Sequence, residues 1–277
     1  MKSIRQLVRA ALDEDIGQED VTTNRTVPPN VRCQAELIAK QDGVLSGIEV
    51  FRMTFDSLHA NIEDWDSRLD GDHFEKGDTI ATFTGNTRAI LTGERTALNF
   101  IQHLSGVATI TNQFVERIRD LGVRVCDTRK TTPMMRRLEK KAVMDGGGMN
   151  HRHSLFNGVV IKENHIMAAG GIKEAVRAAC DGTHHLMKIE VEVTSLDEFE
   201  QALEAGADVI MLDNMTIDDM TKAVQRAKSH RVVIEASGNV TMERIRPMAE
   251  TGVNVISIGA LTHSAPSVDL SLLISNA

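Results

Sequence analysis

Four apolar, β-branched runs, "MKIEVEV", "DVIMLDN", "VVIEASG" and "VISIGA", begin near residues 187, 208, 232 and 255. A spacing of about 20 to 24 residues leaves room for one helix between successive strands and no more, so the strands must run parallel. Two earlier runs, "VRVCD" and "GVVIK", extend the series. One helix start is well marked: Ser195 with Glu198 three residues on, then Phe199, Ala202 and Leu203 inward and Gly206 as the stop, a capping box leading an apolar stripe. Repeated βα units this short close more naturally into a barrel than into a doubly wound sheet. Six or seven strands fall short of eight, so the reading is an α/β chain whose residues 109–265 form an incomplete β/α barrel of about seven strands.

The chain before that series is built differently. Residues 31 to 90 alternate apolar and polar in short runs, "QAELIAK", "GVLSG", "TIATFTG", separated by Gly and Asp, which predicts a mainly β half. The piece "DGDHFEKGDTIATFTGN" is similar to strands of biotinyl and lipoyl carrier domains, but no lysine stands in a hairpin for modification, so it reads as structural. From Thr92 the spacing of Leu98, Ile101 and Leu104, then Ile110, Phe114 and Ile118, predicts two consecutive helices. The opening "MKSIRQLVRAALDED" has Ile4, Leu7, Val8 and Ala11 at helical spacing, with acids and no cleavage signal, and reads as a surface helix.

Charge and cysteine usage narrow the function. Thirty-one Lys and Arg against 39 Asp and Glu give a net charge of -8, which argues against a nucleic-acid groove or an anionic membrane surface. No apolar run approaches the roughly 20 residues that span a bilayer. Cys33, Cys126 and Cys180 are scattered and odd in number, as expected of reduced thiols in a cytoplasmic protein. Any anion site must therefore be local.

In a β/α barrel the working groups stand at the carboxyl ends of the strands, and here those ends are polar. "VRVCD" leads into Arg129 and Lys130, "GVVIK" ends in Lys162, "MKIEVEV" carries Glu190 and Glu192 at strand period, "DVIMLDN" ends in Asp213, "VVIEASG" in Ser237 and Gly238, and "VISIGA" in Gly259. Between the first two lies "GGGMNHRH" with His151 and Arg152. From Asp127 to His165 there are eight Lys or Arg and four Asp or Glu, a local +4 inside an acidic chain. Arg129 and Arg152 can each fork onto a carboxylate or phosphate, with lysines as point charges beside them. Glu192 and Asp213 would repel a polyanion unless they face a metal ion, ribose hydroxyls or a developing cation. Together these point to a phosphorylated sugar, with the backbone N–H groups of "ASG" and "IGA" suited to its phosphate. Arg136, Arg137, Lys140 and Lys141, at helical spacing, read mostly as a solvated face. The pair His151 and His153 has no third soft ligand nearby in sequence, which argues against zinc.

The segments "GERTALNFIQHLSGVAT", "CDTRKTTP", "LEKKAV", "GGGMNHR", "VVIKENH", "IEVEV", "VIMLDN", "EASG" and "ISIGALTHS" occur in an order and spacing that closely resembles the quinolinate phosphoribosyltransferase family, the carboxylating nicotinate-nucleotide pyrophosphorylases of NAD synthesis. The resemblance covers nearly the whole chain. It implies an N-terminal α/β sandwich domain over residues 1–108, joined by the tail 266–277, and an open barrel of seven strands. It implies the conversion of quinolinate and phosphoribosyl pyrophosphate, with Mg²⁺, to nicotinate mononucleotide, pyrophosphate and CO₂. It also implies a homodimer, or a higher oligomer, in which Arg95 reaches the neighbouring barrel mouth. By the same resemblance Arg129, His151, Arg152 and Lys162 bind the quinolinate carboxylates. Lys130, Glu192 and Asp213 hold the phosphoribosyl donor and carry the catalysis, the two acids taking the metal directly or through other groups. Ser237, Gly238 and Gly259 hold the 5′-phosphate.

The chain departs from the family pattern at Met134 and Met135 in place of Gly-Leu, at Lys141 in place of an aromatic residue, at Met144 in place of a basic one, and at Asn157 and Glu163 in place of aspartates. Pro133 reads as the start of the following helix and Asp127 as the anchor of its turn. Two other readings remain open. A molybdate-operon-associated pyrophosphorylase-like paralogue shares the barrel but lacks the lysine of the I-K-x-N-H motif, so Lys162 favours quinolinate. A non-catalytic sensor of phosphate ligands would have little need of Glu192 and Asp213.

Overall fold

The structure, a computed structural model, describes residues 3–276. It contains two compact units: one takes the chain up to Asn112, then Thr132–Gly147 and the tail from Ser264, and the other takes Gln113–Thr131 and Gly148–His263. Among the described residues no helix is long and apolar enough to cross a membrane.

In the first unit the strand Arg32–Ala39 lies between Leu270–Asn276 and Thr79–Asn86, antiparallel to both, with Glu63–Ser67 beyond the latter. Its alternation buries Cys33, Ala35, Leu37 and Ala39 on one face, as period-2 patterning requires. The mainly β reading missed one element here, the helix Ile48–Asp56. Its Ile48, Phe51 and Phe55 are spaced at three and four residues and all are buried. Phe51 and Phe55 meet edge to face with centroids 5.1 Å apart, and Phe55 lies 5.3 Å from Phe83 of the sheet, so aromatic contact fixes this helix on the sheet.

The second unit carries the predicted parallel sheet. Its order is Arg124–Cys126, Val255–Ser257, Val233–Ser237, Val209–Asp213, Ile189–Val193 and Val159–Ile161, every neighbouring pair parallel. Six strands form where about seven were expected. The seventh is reduced to one parallel bridge between Met149 and Cys126, because the three glycines before Met149 have no side chains to pack and the backbone turns away after it. The end strands, Arg124–Cys126 and Val159–Ile161, do not pair with each other, so the barrel is open. Helices between the strands bury apolar stripes that include Val176, Phe199, Met220 and Met248. At Ser195 the hydroxyl accepts from the backbone N–H of Glu198 at 3.2 Å, but the Glu198 carboxylate accepts from Thr194 N–H at 2.7 Å, one residue earlier than a capping box requires.

Two helix readings are corrected around Pro133. The helix there runs Arg136–Asp145, starting three residues after the proline, because Met134 sits in the left-handed region at φ 67° and breaks any earlier turn. Its basic face is solvated only in part: Arg137 and Lys141 are exposed, but Lys140 is 2% exposed and its neighbour Glu139 is fully buried. Glu139 accepts the backbone N–H of Thr132 at 3.0 Å and lies 2.9 Å from His103 Nε2. Lys141 donates to Asp70 at 2.7 Å and to Asp145 at 2.8 Å. Burial pushes its ammonium down, but those bonds outweigh it and leave the group above its usual range.

The two helices expected after Thr92 are one, Thr87–Arg117. Gly106 does not interrupt it. A Cβ at that position would stand 2.1 Å from the carbonyl oxygen of Pro266, so the glycine allows the tail to pass against the helix on its way to the sheet. Helix propensity alone would make Gly106→Ala stabilising by about 1 kcal/mol. The backbone clash should win, and we expect a loss of about 3 kcal/mol in guanidinium unfolding. A gain in stability would show that the tail does not approach this closely.

Candidate active site

The carboxyl ends of the parallel strands enclose a cavity of about 560 Å³. Arg129, Lys130, His151, Arg152, Lys162, Glu192, Asp213, Ser237 and Gly238 all line it. Each arrives there by strand or turn geometry. Asp127, fully buried just past Cys126, accepts the backbone N–H of His151 at 2.8 Å and so ties the glycine-rich loop to the first strand. The Thr128 hydroxyl accepts the Lys130 N–H at 3.0 Å, and Thr262 Oγ1 donates to the Lys130 carbonyl at 2.7 Å, which fixes the cationic turn from two sides. Gly259 does not line the cavity. A Cβ there would come within 2.9 Å of Lys130 Cδ, so its lack of a side chain gives the lysine stem its path.

Two of the cations have specific partners. Arg152 donates from Nη1 to the Gly158 carbonyl at 2.8 Å. Burial, and then the charge of Arg129, hold the Arg152 guanidinium below its ordinary range, with Glu190 opposing them; a guanidinium so placed is still charged. Lys162 pairs with Glu192. On the acidic side, Asp213 accepts from Asn214 Nδ2 at 2.9 Å, and the Asn214 N–H donates to the Ser237 carbonyl at 3.0 Å. Gly238 has φ 90°, and a Cβ on it would meet Asn214 Oδ1 at 2.3 Å, so glycine is required on both counts.

Below these groups lies a cluster that sequence reading did not find. His151 Nε2 is 3.0 Å from Glu190 Oε2 and 3.8 Å from Glu235 Oε2. No third ligand lies near His151 in sequence, but the fold brings two carboxylates to it from the strands Ile189–Val193 and Val233–Ser237, while His153 stays outside the group. Glu235 was detectable in principle, since it stands two residues before Ser237 and so shares its face.

Arg95 is not among the residues lining the mouth. It is exposed on the helix Thr87–Arg117, beside a cavity of the first unit that also holds Lys40, Lys76 and Asp269.

What the mouth can do is bind two different anions at once. Three cations, Arg129, Arg152 and Lys162, carried by the two end strands of the open sheet and the segment between them, meet in one cavity and suit a compact dicarboxylate. Further along stand Asp213, Ser237 and Gly238, a hydroxyl and an open backbone beside an acid, suited to a ribose phosphate. Lys130 stands on the first strand's turn, within reach of the same space.

Comparison with known proteins gives the family. Residues 20–105 match the family model for the N-terminal domain of quinolinate phosphoribosyl transferase, and residues 107–273 match that for its C-terminal domain. A probable carboxylating nicotinate-nucleotide pyrophosphorylase of Bacillus subtilis is 41% identical over 97% of this chain and 92% of its own. The chloroplastic carboxylating enzyme of Arabidopsis thaliana is 38% identical over 98% of this chain and 82% of its own. The crystal structure of NadC from Streptococcus pyogenes superposes with a TM-score of 0.94 at 40% identity, over 99% of this chain and 97% of that one. The chain therefore belongs to the quinolinate phosphoribosyltransferase family.

Proposed function

We propose that the protein transfers the phosphoribosyl group of phosphoribosyl pyrophosphate to quinolinate, giving nicotinate mononucleotide, pyrophosphate and CO₂. The observation that carries this reading is the single cavity in which Arg129, Arg152 and Lys162 stand beside Lys130, Glu192, Asp213, Ser237 and Gly238. The pyridine nitrogen attacks C1 of the ribose as pyrophosphate leaves, through a transition state with oxocarbenium character. That step needs positioned charge more than a strong base. Arg129, Arg152 and Lys162 bind and orient the dicarboxylate. Lys130 meets the departing pyrophosphate, Glu192 and Asp213 face the ribose and its developing positive charge, and Ser237 and Gly238 hold the 5′-phosphate. Loss of the 2-carboxylate then leaves electron density beside a cationic ring nitrogen, which the ring stabilises.

The donor set fits Mg²⁺, because Glu192 and Asp213 offer hard carboxylate oxygens in one cavity. Bound there directly or through water, the ion would neutralise charge on the pyrophosphate. We further read the protein as a homodimer in which Arg95 completes the partner's mouth; its exposure, and its absence from the residues lining the cavity, support this. Cys33, Cys126 and Cys180, none of them in a disulfide, fit a reducing compartment and support a cytoplasmic location.

Purified protein supplied with quinolinate, phosphoribosyl pyrophosphate and Mg²⁺ should release pyrophosphate and nicotinate mononucleotide in equal amounts; binding of both substrates without turnover would instead indicate a sensor. Arg95→Ala and Lys130→Ala proteins, each inactive, should regain part of the activity on mixing. Absence of recovery with subunit exchange confirmed would place the whole site within one chain. Gly238→Ala should raise the KM for phosphoribosyl pyrophosphate about tenfold while changing that for quinolinate much less. Equal effects on the two would remove Gly238 from the phosphate end.

A further inference from the structure

Two buried acids beneath the mouth have no part in the chemistry above. Glu190 and Glu235 are 5% and 4% exposed, and Oε1 of each is buried without a hydrogen-bond partner. With His151 they form a group whose ligand atoms lie within 4.8 Å of one another, close enough to hold a divalent cation. The hydrogen bonding of the imidazole argues against that use. The backbone N–H of Arg152 donates to His151 Nδ1 at 2.8 Å, so Nδ1 is an acceptor and the ring proton sits on Nε2. Nε2 is the atom a metal would need, and its N–H points instead to Glu190 at 3.0 Å.

Two neighbouring carboxylates in so dry a place cannot both be charged without heavy cost. Glu190 receives the imidazole N–H at 3.0 Å, while Glu235 stands 3.8 Å from the same nitrogen. Burial first, and then the charge of Glu190, raise Glu235 to about 7. The consequence reaches the mouth through a chain of bonds. Glu190 holds the imidazole, the imidazole holds the Arg152 N–H, and Arg152 lines the cavity.

We propose that Glu235 is a positioning residue for the dicarboxylate subsite: it shares the buried space under His151 with Glu190, and in its protonated form it leaves Glu190 alone to orient His151 and, through it, Arg152. A second negative charge under that subsite would also repel a dianion. The kinetic part of this inference rests on the quinolinate reading of the mouth; the part concerning His151 does not.

The direct test is the ¹⁵N spectrum of histidine-labelled, full-length protein, with the His151 signals identified by their loss in His151→Gln. The neutral Nε2–H form is expected at pH 7; a proton on Nδ1 would overturn the proposal. Glu235→Gln keeps the shape and neutrality of the acid. It should retain kcat/KM for quinolinate within about threefold at pH 7, and should abolish the rise in quinolinate KM that is expected of the unaltered protein above pH 7. Glu190→Gln should raise the quinolinate KM about tenfold, leave that for phosphoribosyl pyrophosphate unchanged, and shift the His151 signals. A folded Glu235→Gln protein that loses tenfold or more of kcat/KM for quinolinate would mean that the ionised acid is needed, and the proposal fails. If the unaltered protein converts no quinolinate, the proposed function fails, and the ¹⁵N measurement still decides the role of Glu235.

Discussion

Parallel pairing of six short strands determines where each polar side chain of the mouth can stand. In a parallel register alternate residues face the same side, so Glu190 with Glu192, Met211 with Asp213, and Glu235 with Ser237 are turned to one interior in successive steps. The helices outside the sheet bury their apolar stripes against its other face, and Val191, Val193, Ile210 and Ile234 answer them from the strands. A slip of one residue in any strand would exchange these sets, burying acids among leucines and phenylalanines. The apolar face thus pins the register, and the register assembles the cavity.

Charge inside that cavity is balanced by contacts that differ in strength. Lys162 and Glu192 form an ion pair in which the lysine side chain is 48% exposed. Such a pair contributes at most about 1 kcal/mol, and an incoming dianion can take the lysine at little cost. The deeper group behaves differently. Asp127, His151 and Glu190 are bound to one another and to the backbone, largely shielded from bulk solvent, and disturbing any of them displaces the Arg152 main chain. Exchangeable pairs at the surface over a rigid polar layer below is an arrangement that binds charged substrates without losing the shape of the site.

Much of this was legible in the residues. Strand ends could be located because β-branched runs recur at intervals that admit only one connection, and the polar residues closing those runs proved to share one cavity. Other features depend on contacts distant in sequence. The apolar spacing after Thr92 reads as two helices, whereas one helix runs through Gly106, whose bare backbone lets the tail at Pro266 pass against it. Lys140 reads as a surface charge by its neighbours, although the fold buries it beside Glu139. Glu235 sits in an apolar run and carries no signal of its own until the sheet sets it beside Glu190 and His151. The helix Ile48–Asp56 was hidden because a three- and four-residue spacing across nine residues is easily read as alternation.

The central claim is that the mouth joins a pyridine dicarboxylate to a phosphoribosyl donor and then expels one specific carboxylate. Quinolinate labelled with ¹³C in either the 2- or the 3-carboxyl group tests it most directly. The account predicts that label from the 2-position appears as CO₂ in step with nicotinate mononucleotide, only when phosphoribosyl pyrophosphate is present, and that label from the 3-position stays in the nucleotide. Release of the 3-label, or of either label without the phosphoribosyl donor, would contradict it.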